Sequence, residues 1–166
     1  MSDKNYCYIP DQSRVQIVCE ITRGYDTAEY TVILLDDEGK PSKGTSETRT
    51  IEASKTFPID SLHEITHPPS DLIQLTNVHG PAILNTLRSR FQQDSIYTSI
   101  GPILIACNPF RWIKGVYEKE VILAYFRGER NQSEHPHVFA MAHDSLMGLQ
   151  FGKNQSLIIS GESGAG

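Results

Sequence analysis

The stretch that decides the fold is residues 157–166, LIISGESGAG. The apolar run at 157–159 predicts a buried β-strand, and the glycine-rich segment after it lets successive backbone N–H groups face one anion. Residues 161–166 fill the first six positions of the phosphate-loop pattern G-x-x-x-x-G-K-[ST]. We therefore expect a strand that leads into a phosphate-binding loop. The residues of that loop are Gly161, Glu162, Ser163, Gly164, Ala165 and Gly166.

The same glycine spacing occurs a second time, at residues 39–44, so the spacing alone is a weak pattern. There, the carboxylates of Asp36, Asp37 and Glu38 stand directly before the first glycine and would repel a phosphate. Pro41 also lacks the backbone N–H that phosphate binding needs. We interpret residues 39–44 as a polar surface turn.

The phosphate-loop pattern continues with a lysine that reaches the outer phosphates and with a hydroxyl residue that holds magnesium. Both positions would come after Gly166, where the sequence ends. We therefore expect the chain to be the N-terminal part of a longer protein, cut within its phosphate loop.

The composition excludes some classes of function. The sequence has 20 acidic residues and 15 Lys or Arg residues, so its formal net charge of −5 does not indicate nucleic-acid binding. No apolar run approaches the roughly 18 residues of a membrane-spanning helix. The three cysteines, Cys7, Cys19 and Cys107, are far apart, which favours reduced, buried thiols over a disulfide or a metal site.

Residues 1–65 are predicted to form a small antiparallel β-barrel. Apolar runs at 15–21 and 30–35 have the composition of strands, and shorter runs follow near 50–52 and 57–59. No residue pattern in this part indicates catalysis. We interpret it as a structural or partner-contacting domain.

The segment HEITH at residues 63–67 matches the H-E-x-x-H pattern of zinc metalloproteases. In those enzymes a helix places both histidines on one face, and the glutamate activates water. Here Pro68 and Pro69 follow directly, and a residue before proline avoids helical angles. We therefore place His67 outside a helix and interpret the segment as a linker.

Two helices are predicted after the linker, because apolar residues now recur every three or four positions. Leu72, Leu75 and Val78 indicate a first helix, which Asp71 can cap. A second helix should start with Pro81 in its first turn. In it, we expect four buried apolar side chains and two solvated arginines. These are Ile83, Leu84, Leu87 and Phe91, and Arg88 and Arg90.

Two strands and two further helices are predicted before the loop. Strand-like runs at 96–98 and 103–107 flank a Gly-Pro pair, which is typical of a hairpin turn. Residues 118–126 predict a short helix, and a longer one runs from His137 to about Gln150, with Gly152 as its stop. Its buried face should contain Val138, Ala142, Leu146 and Leu149.

The second strand ends in Asn108, Pro109 and Phe110. This sequence is typical of a turn, but an amide, a fixed backbone and an aromatic ring at a strand end could also line an adenine pocket. Downstream, His135-Pro136-His137 has no acid or thiol cluster beside it, so we assign no metal there. The order of strand, helix, strand and phosphate loop is that of an α/β nucleotide-binding fold.

Five blocks of sequence, taken in order, resemble the start of a myosin motor head. The blocks are HPPSDL at 67–72, LNTLRSRF at 84–91, IYT at 96–98, IACNPF at 105–110 and QSLIISGESGAG at 155–166. The resemblance covers residues 67–166, whereas residues 1–65 are only loosely similar to the small N-terminal barrel of many myosins.

The resemblance implies an incomplete α/β phosphate-loop NTPase motor domain at 66–166, preceded by the small barrel at 1–65. It implies a cytoplasmic, cytoskeleton-associated motor that binds ATP with Mg²⁺, hydrolyses ATP and moves on actin filaments. Light chains and cargo are possible further partners. It assigns no catalytic residue and no metal ligand to this chain. We therefore expect the 166-residue chain alone to be inactive as an ATPase.

Carried over residue by residue, the resemblance assigns residues 161–166 to the phosphates. Asn108, Pro109 and Phe110 would border the adenine, and Tyr117 would contact the base. Tyr117 stands nine residues after Asn108, whereas myosins usually place this tyrosine eight residues after the asparagine.

Two other classes of function remain as alternatives. A phosphate-loop kinase or GTPase usually carries this loop near its N-terminus, after the first strand, and the long segment before residue 161 argues against that class. A truncated product that acts only as a protein-interaction module is compatible with every sequence pattern described above.

Overall fold

A computed structural model describes residues 5–12, 15–24, 27–36, 40–41, 48–59, 62–162 and 164–165. The chain forms two compact units. The first comprises Met1–Pro69 with Leu75–Ser89, and the second comprises Ser70–Gln74 with Arg90–Gly166. The predicted domain boundary between residues 65 and 66 stays a prediction.

The first unit is built on a five-stranded antiparallel sheet with the order β4-β3-β2-β1-β5. The strands are β1 (Asn5–Asp11), β2 (Val15–Arg23), β3 (Glu29–Leu34), β4 (Thr48–Glu52) and β5 (Phe57–Ile59). The sequence patterns predicted the last four and missed β1. In the described residues no pairing joins the edge strands β4 and β5, so closure into a barrel stays a prediction.

The core of this sheet is small and apolar, with Ile9, Val32 and Leu34 packed around a pair of cysteines. Cys7 of β1 faces Cys19 of β2 in the antiparallel register, and both are free thiols. Burial raises the pKa of Cys7 to about 11 and that of Cys19 to about 12. The prediction of buried thiols is confirmed for these two, whereas Cys107 is half-buried.

The H-E-x-x-H segment forms a one-turn helix, α1 (Leu62–Thr66), which ends before His67 as predicted. The His67 N–H donates to the His63 carbonyl at 2.8 Å. Glu64 accepts hydrogen bonds from the Thr76 N–H at 3.1 Å and from the Thr76 hydroxyl. Across the described ranges, no group of three or more His, Cys, Asp or Glu side chains could hold a metal ion.

Asp71 does not start a helix over residues 72–78, so that prediction is wrong. A single 3₁₀ turn, Leu72–Gln74, forms instead. The Asp71 carboxylate accepts from the Ile73 N–H at 3.0 Å and from the Gly101 N–H at 3.1 Å, and the Ser99 N–H donates to the Ser70 carbonyl at 2.8 Å. These bonds tie the segment to the neighbouring hairpin, and tertiary contacts override the apolar spacing.

The long helix α2 (Gly80–Gln92) has Pro81 in its first turn, as predicted. Its buried side chains are Ala82 and Thr86, whereas Phe91 is exposed, so the predicted inner face is wrong in part. Arg90 is half-buried rather than fully solvated. It donates from Nε to Thr98 Oγ1 and from Nη2 to the Tyr97 carbonyl, both at 2.9 Å.

His79 holds the start of α2. Its Nδ1 accepts from the Ala82 N–H at 3.2 Å, and its Nε2 donates to the Pro58 carbonyl at 3.0 Å. The ring packs between Tyr8 and Phe57, with centroid distances of 5.7 and 5.3 Å. The imidazole therefore caps the helix and fixes it to β5.

The second unit contains the predicted hairpin of β6 (Tyr97–Ile100) and β7 (Ile103–Ala106). Gly101 at its turn has φ +56, and a Cβ there would approach Ile73 Cδ1 to 2.9 Å, so the turn requires glycine. The predicted helices also form, as α3 (Lys119–Phe126) and α4 (Val138–Gln150). No helix in the described part of the chain is both long and apolar enough to cross a membrane.

The predicted inner face of α4 is wrong. Ala140 and Phe139 pack against Val121 and Tyr125 of α3. The four residues expected inside are exposed, and they are Val138, Ala142, Leu146 and Leu149. Apolar residues occupy more than one stripe of this helix, so periodicity does not tell which stripe meets the core.

The predicted buried strand at residues 157–159 does not form. Residues 153–162 have no regular secondary structure, and Ile158 and Ile159 are 91% and 94% exposed. A strand needs a neighbour to pair its backbone groups, and none of the described strands pairs with this segment. The α/β phosphate-loop fold therefore stays a prediction.

Replacing His79 with alanine should destabilise the first unit, because α2 loses its cap and the two rings lose a packing partner. We expect the free energy of unfolding to fall by about 1–2 kcal/mol. Chemical denaturation at pH 7.5, followed by circular dichroism, measures this value. His135→Ala is the control, since His135 is an exposed histidine in the second unit. Equal stability of the two variants would contradict the capping role.

Candidate nucleotide site

The glycine-rich segment forms a turn at the surface of the second unit. Gly161, Glu162, Gly164 and Ala165 are exposed, whereas Ser163 and Gly166 lie outside the described residues. The Ala165 N–H donates to the Glu162 carbonyl at 3.0 Å, which closes the turn. Gly164 has φ +87, a conformation that favours glycine.

The turn keeps donors for an anion. Within the described residues, the N–H groups of Gly161, Glu162 and Gly164 make no hydrogen bond. Exposed backbone donors beside a left-handed glycine are the groups with which a phosphate loop binds its ligand. The residues present therefore fit a phosphate-bearing ligand, although the Ala165 N–H is already used in the turn.

Asn108 connects the end of β7 to this turn. Its Nδ2 donates to the Gly164 carbonyl at 3.2 Å, and its Oδ1 accepts from the Phe110 N–H at 2.8 Å. The same side chain thus shapes its own turn and holds the glycine-rich turn 56 residues later. Sequence spacing alone could not predict this bond, because it joins two segments that are irregular in structure.

Pro109 and Phe110 follow Asn108 on the surface. Phe110 is 82% exposed and has φ +51, which is uncommon for a residue with a side chain. The hydrogen bond from its N–H to Asn108 supports this conformation. The exposed ring is therefore presented to solvent near a polar turn, where an aromatic ligand could stack on it.

Tyr117 is held by aromatic neighbours. Its hydroxyl is hydrogen-bonded to that of Tyr97 at 2.8 Å. Its ring lies 5.7 Å from the rings of Trp112 and His137 and 6.2 Å from that of Phe139. Burial, and then the hydrogen bond to Tyr117, raise the pKa of Tyr97. Sequence analysis did not identify Tyr97, Phe139 or His137 as neighbours of this tyrosine.

His137 lies at the centre of this aromatic group. It is 6% exposed, and its Nδ1 accepts from the Phe139 N–H at 3.1 Å, so it caps α4. Its ring stacks on Tyr125 at 5.3 Å and contacts Tyr97 at 4.7 Å. Burial lowers the pKa of His137, the Val116 backbone opposes this shift, and the nearby charge of Arg130 adds to it.

Of the predicted site residues, the structure brings together Asn108 and the glycine-rich turn. In the part of the chain that the structure describes, Pro109, Phe110 and Tyr117 make no hydrogen bond to that turn. Tyr117 is instead oriented by side chains from β6 and α4. The roles of these residues toward a nucleotide stay predictions.

The lowered pKa of His137 makes the second unit sensitive to acid. Its folded-state pKa lies below the roughly 6.5 of an unfolded histidine, so the unfolded chain binds more protons as the pH falls through 6.5. We expect the free energy of unfolding to decrease between pH 7.5 and 5.5. In the variant His137→Asn, which keeps a capping acceptor, the decrease should be smaller.

Urea denaturation at several pH values measures this difference. All other residues are the same in both proteins, so their contributions cancel in the comparison. Identical pH profiles for the chain and for His137→Asn would contradict the assignment.

The chain is similar in sequence to myosin motor heads. The family model described as myosin head (motor domain) matches residues 69–166. Myosin-2B of Naumovozyma castellii is 33% identical over 171 residues, covering 96% of this chain and 12% of the relative. The myosin-J heavy chain of Dictyostelium discoideum is 36% identical over 160 residues, covering 96% of this chain and 7% of the relative.

A plant myosin is similar to the chain over a comparable stretch. Myosin-4 of Arabidopsis thaliana is 41% identical over 134 residues, covering 79% of this chain and 11% of the relative. The chain therefore spans about a tenth of the length of the relatives it matches. The alignments that cover 96% of the chain also extend over the N-terminal sheet, beyond the residues matched by the family model.

Proposed function

Because the chain belongs to the myosin motor-head family, we propose that it is the N-terminal part of an actin-based motor driven by ATP. The observation that carries the proposal is the glycine-rich turn, which Asn108 holds and in whose described residues the N–H groups of Gly161, Glu162 and Gly164 make no hydrogen bond. In this proposal the whole protein works in the cytoplasm on the actin cytoskeleton. Contacts with actin, light chains and cargo belong to other parts of it.

The turn would bind the phosphates of ATP through its backbone. Phosphoryl transfer depends mainly on positioning and on stabilising negative charge, and exposed N–H groups contribute to both through hydrogen bonds. The φ of +87 at Gly164 is the left-handed conformation typical of backbone anion-binding turns. The hydrogen bond from Asn108 to the Gly164 carbonyl fixes that peptide. ATP binding would therefore cost less conformational entropy in the turn.

The base would lie beside Asn108, Pro109 and Phe110, with Tyr117 as a further contact. The exposed Phe110 ring offers a stacking surface, and Pro109 fixes the backbone that precedes it. Tyr117 is preorganised by Tyr97 and His137, so its ring would meet the base without a change of position. When bound, Mg²⁺ would neutralise charge on the phosphates.

The apolar surface of the second unit supports the proposal that a larger head surrounds it. Ile158, Ile159 and the outer face of α4 are exposed in the chain by itself. Soluble proteins rarely leave contiguous apolar surface in water. We propose that the rest of the motor head covers these residues, and that the 166-residue chain alone does not hydrolyse ATP.

The role of Asn108 can be tested in the whole motor head that contains this chain. Asn108→Ala removes one neutral hydrogen bond to the Gly164 carbonyl, so we expect the KM for ATP to rise about two- to tenfold. Asn154→Ala is the matched control, because Asn154 is exposed and lies outside the turn. Steady-state ATPase assays measure both.

The outcomes separate two questions. A whole head that neither binds nor hydrolyses ATP would refute the proposed function and favour the interaction-module alternative. Normal ATPase activity with an unchanged KM in Asn108→Ala would leave the motor function standing and refute the role of Asn108. ATP hydrolysis by the 166-residue chain itself would refute its proposed inactivity.

A further inference from the structure

The second unit contains a cavity of about 320 Å³ that the proposed nucleotide site does not use. It lies among the end of α2, β6, α3 and the loop that leads to α4, and neither Asn108 nor the glycine-rich turn lines it. Cavities of this size hold small molecules in other proteins. Its lining includes three side chains that can donate hydrogen bonds to an anion. They are Arg90, Arg130 and His137.

Arg90 brings a half-buried positive charge to the cavity. Its two hydrogen bonds go to neutral oxygens, the Thr98 hydroxyl and the Tyr97 carbonyl. It forms no ion pair with any carboxylate of the described residues. Burial lowers the pKa of Arg90, because the protein around the guanidinium removes part of its hydration. A partly buried guanidinium is stabilised when an anion accepts hydrogen bonds from its remaining N–H groups.

His137 brings a buried donor. Because Nδ1 accepts from the Phe139 N–H, the neutral imidazole carries its proton on Nε2. Within the described residues Nε2 has no partner at full hydrogen-bonding geometry, and only a weak hydrogen bond to the Val116 backbone raises the pKa of the ring. A buried N–H without an acceptor is costly, and an acceptor in the cavity would satisfy it. His137 also begins α4, whose dipole favours negative charge at this end.

Arg130 adds a second cation from an exposed position. Its charge acts on both Tyr125 and His137. Among the described residues it has no carboxylate partner. The neighbouring arginine Arg127, by contrast, lies 3.7 Å from Glu129 and does not line the cavity.

Two carboxylates and one further histidine also line the cavity. Asp94 is paired with Arg111, which neutralises it. Glu134 accepts a hydrogen bond from Asn131 Nδ2 at 3.3 Å, and His135 is exposed. With Asp94 neutralised, the charges of Arg90 and Arg130 exceed that of Glu134, so the cavity has a net positive charge.

We propose that this cavity binds a small oxyanion, the phosphate or carboxylate group of a small molecule. The oxygens of the anion accept from the unused N–H groups of Arg90, from His137 Nε2 and from Arg130. The volume leaves room for more than a single phosphate ion, so a ligand with two or three anionic groups also fits. Neither Asn108 nor the glycine-rich turn lines this site, although Tyr97 and His137 of its lining also contact Tyr117.

The test is a titration of the full chain with inorganic phosphate and, separately, with citrate, at pH 7.5 and constant ionic strength. Isothermal titration calorimetry measures affinity and stoichiometry, and NaCl is the reference salt. We expect saturable binding of one anion. Arg130→Gln should weaken binding about tenfold, because it removes a charge-assisted hydrogen bond. Arg127→Gln is the matched control and should change the affinity less than about twofold.

Each outcome decides the proposal. Saturation by phosphate alone identifies a phosphorylated ligand, saturation by citrate alone identifies a carboxylate, and saturation by both identifies a general oxyanion site. The proposal is refuted if neither anion saturates, if NaCl competes equally, or if the two arginine variants lose the same affinity. Arg130 is exposed, so its replacement tests the site without removing the bonds through which Arg90 holds β6.

Discussion

The buried imidazole of His137 links the helices and the hairpin of the second unit. It caps α4 through Nδ1 and stacks on Tyr125 of α3, so one buried ring joins two helices. The same ring contacts Tyr97 of β6 and Tyr117 of the preceding loop. One side chain thus contacts the hairpin, both helices and the tyrosine proposed to contact the base.

The first unit begins its long helix in the same way. His79 caps α2 through Nδ1 and binds the Pro58 carbonyl through Nε2, as a histidine can do only in its neutral form. A serine or aspartate would cap either helix but would not supply an aromatic face. In both units the histidine therefore combines a hydrogen bond that a helix start needs with ring packing that a small unit needs.

Local patterns in the sequence predicted the elements that local chemistry determines. The β6–β7 hairpin follows from its Gly-Pro turn, α2 from its proline, and the end of α1 from the two prolines after His67. The patterns failed where distant residues decide. Asp71 binds the hairpin turn instead of starting a helix, and Arg90 turns inward to β6.

The candidate site shows the same division. The glycine-rich segment at 161–166 is selected from its glycine spacing together with the apolar run before it, both of which are local properties of the sequence. The hydrogen bond from Asn108 to Gly164 and the group of rings around Tyr117 depend on packing between segments far apart in sequence. The apolar run at 157–159 has the composition of a strand, but composition does not supply the neighbouring strand that pairing requires.

The facing cysteines of β1 and β2 have a chemical consequence. At neutral pH, Cys7 and Cys19 are almost entirely in the unreactive thiol form, because burial raises the pKa of each. Alkylating reagents can reach them only when the apolar core around them opens, whereas Cys107 is more accessible. The rate at which an alkylating reagent modifies these two thiols therefore reports how often the core of this sheet opens.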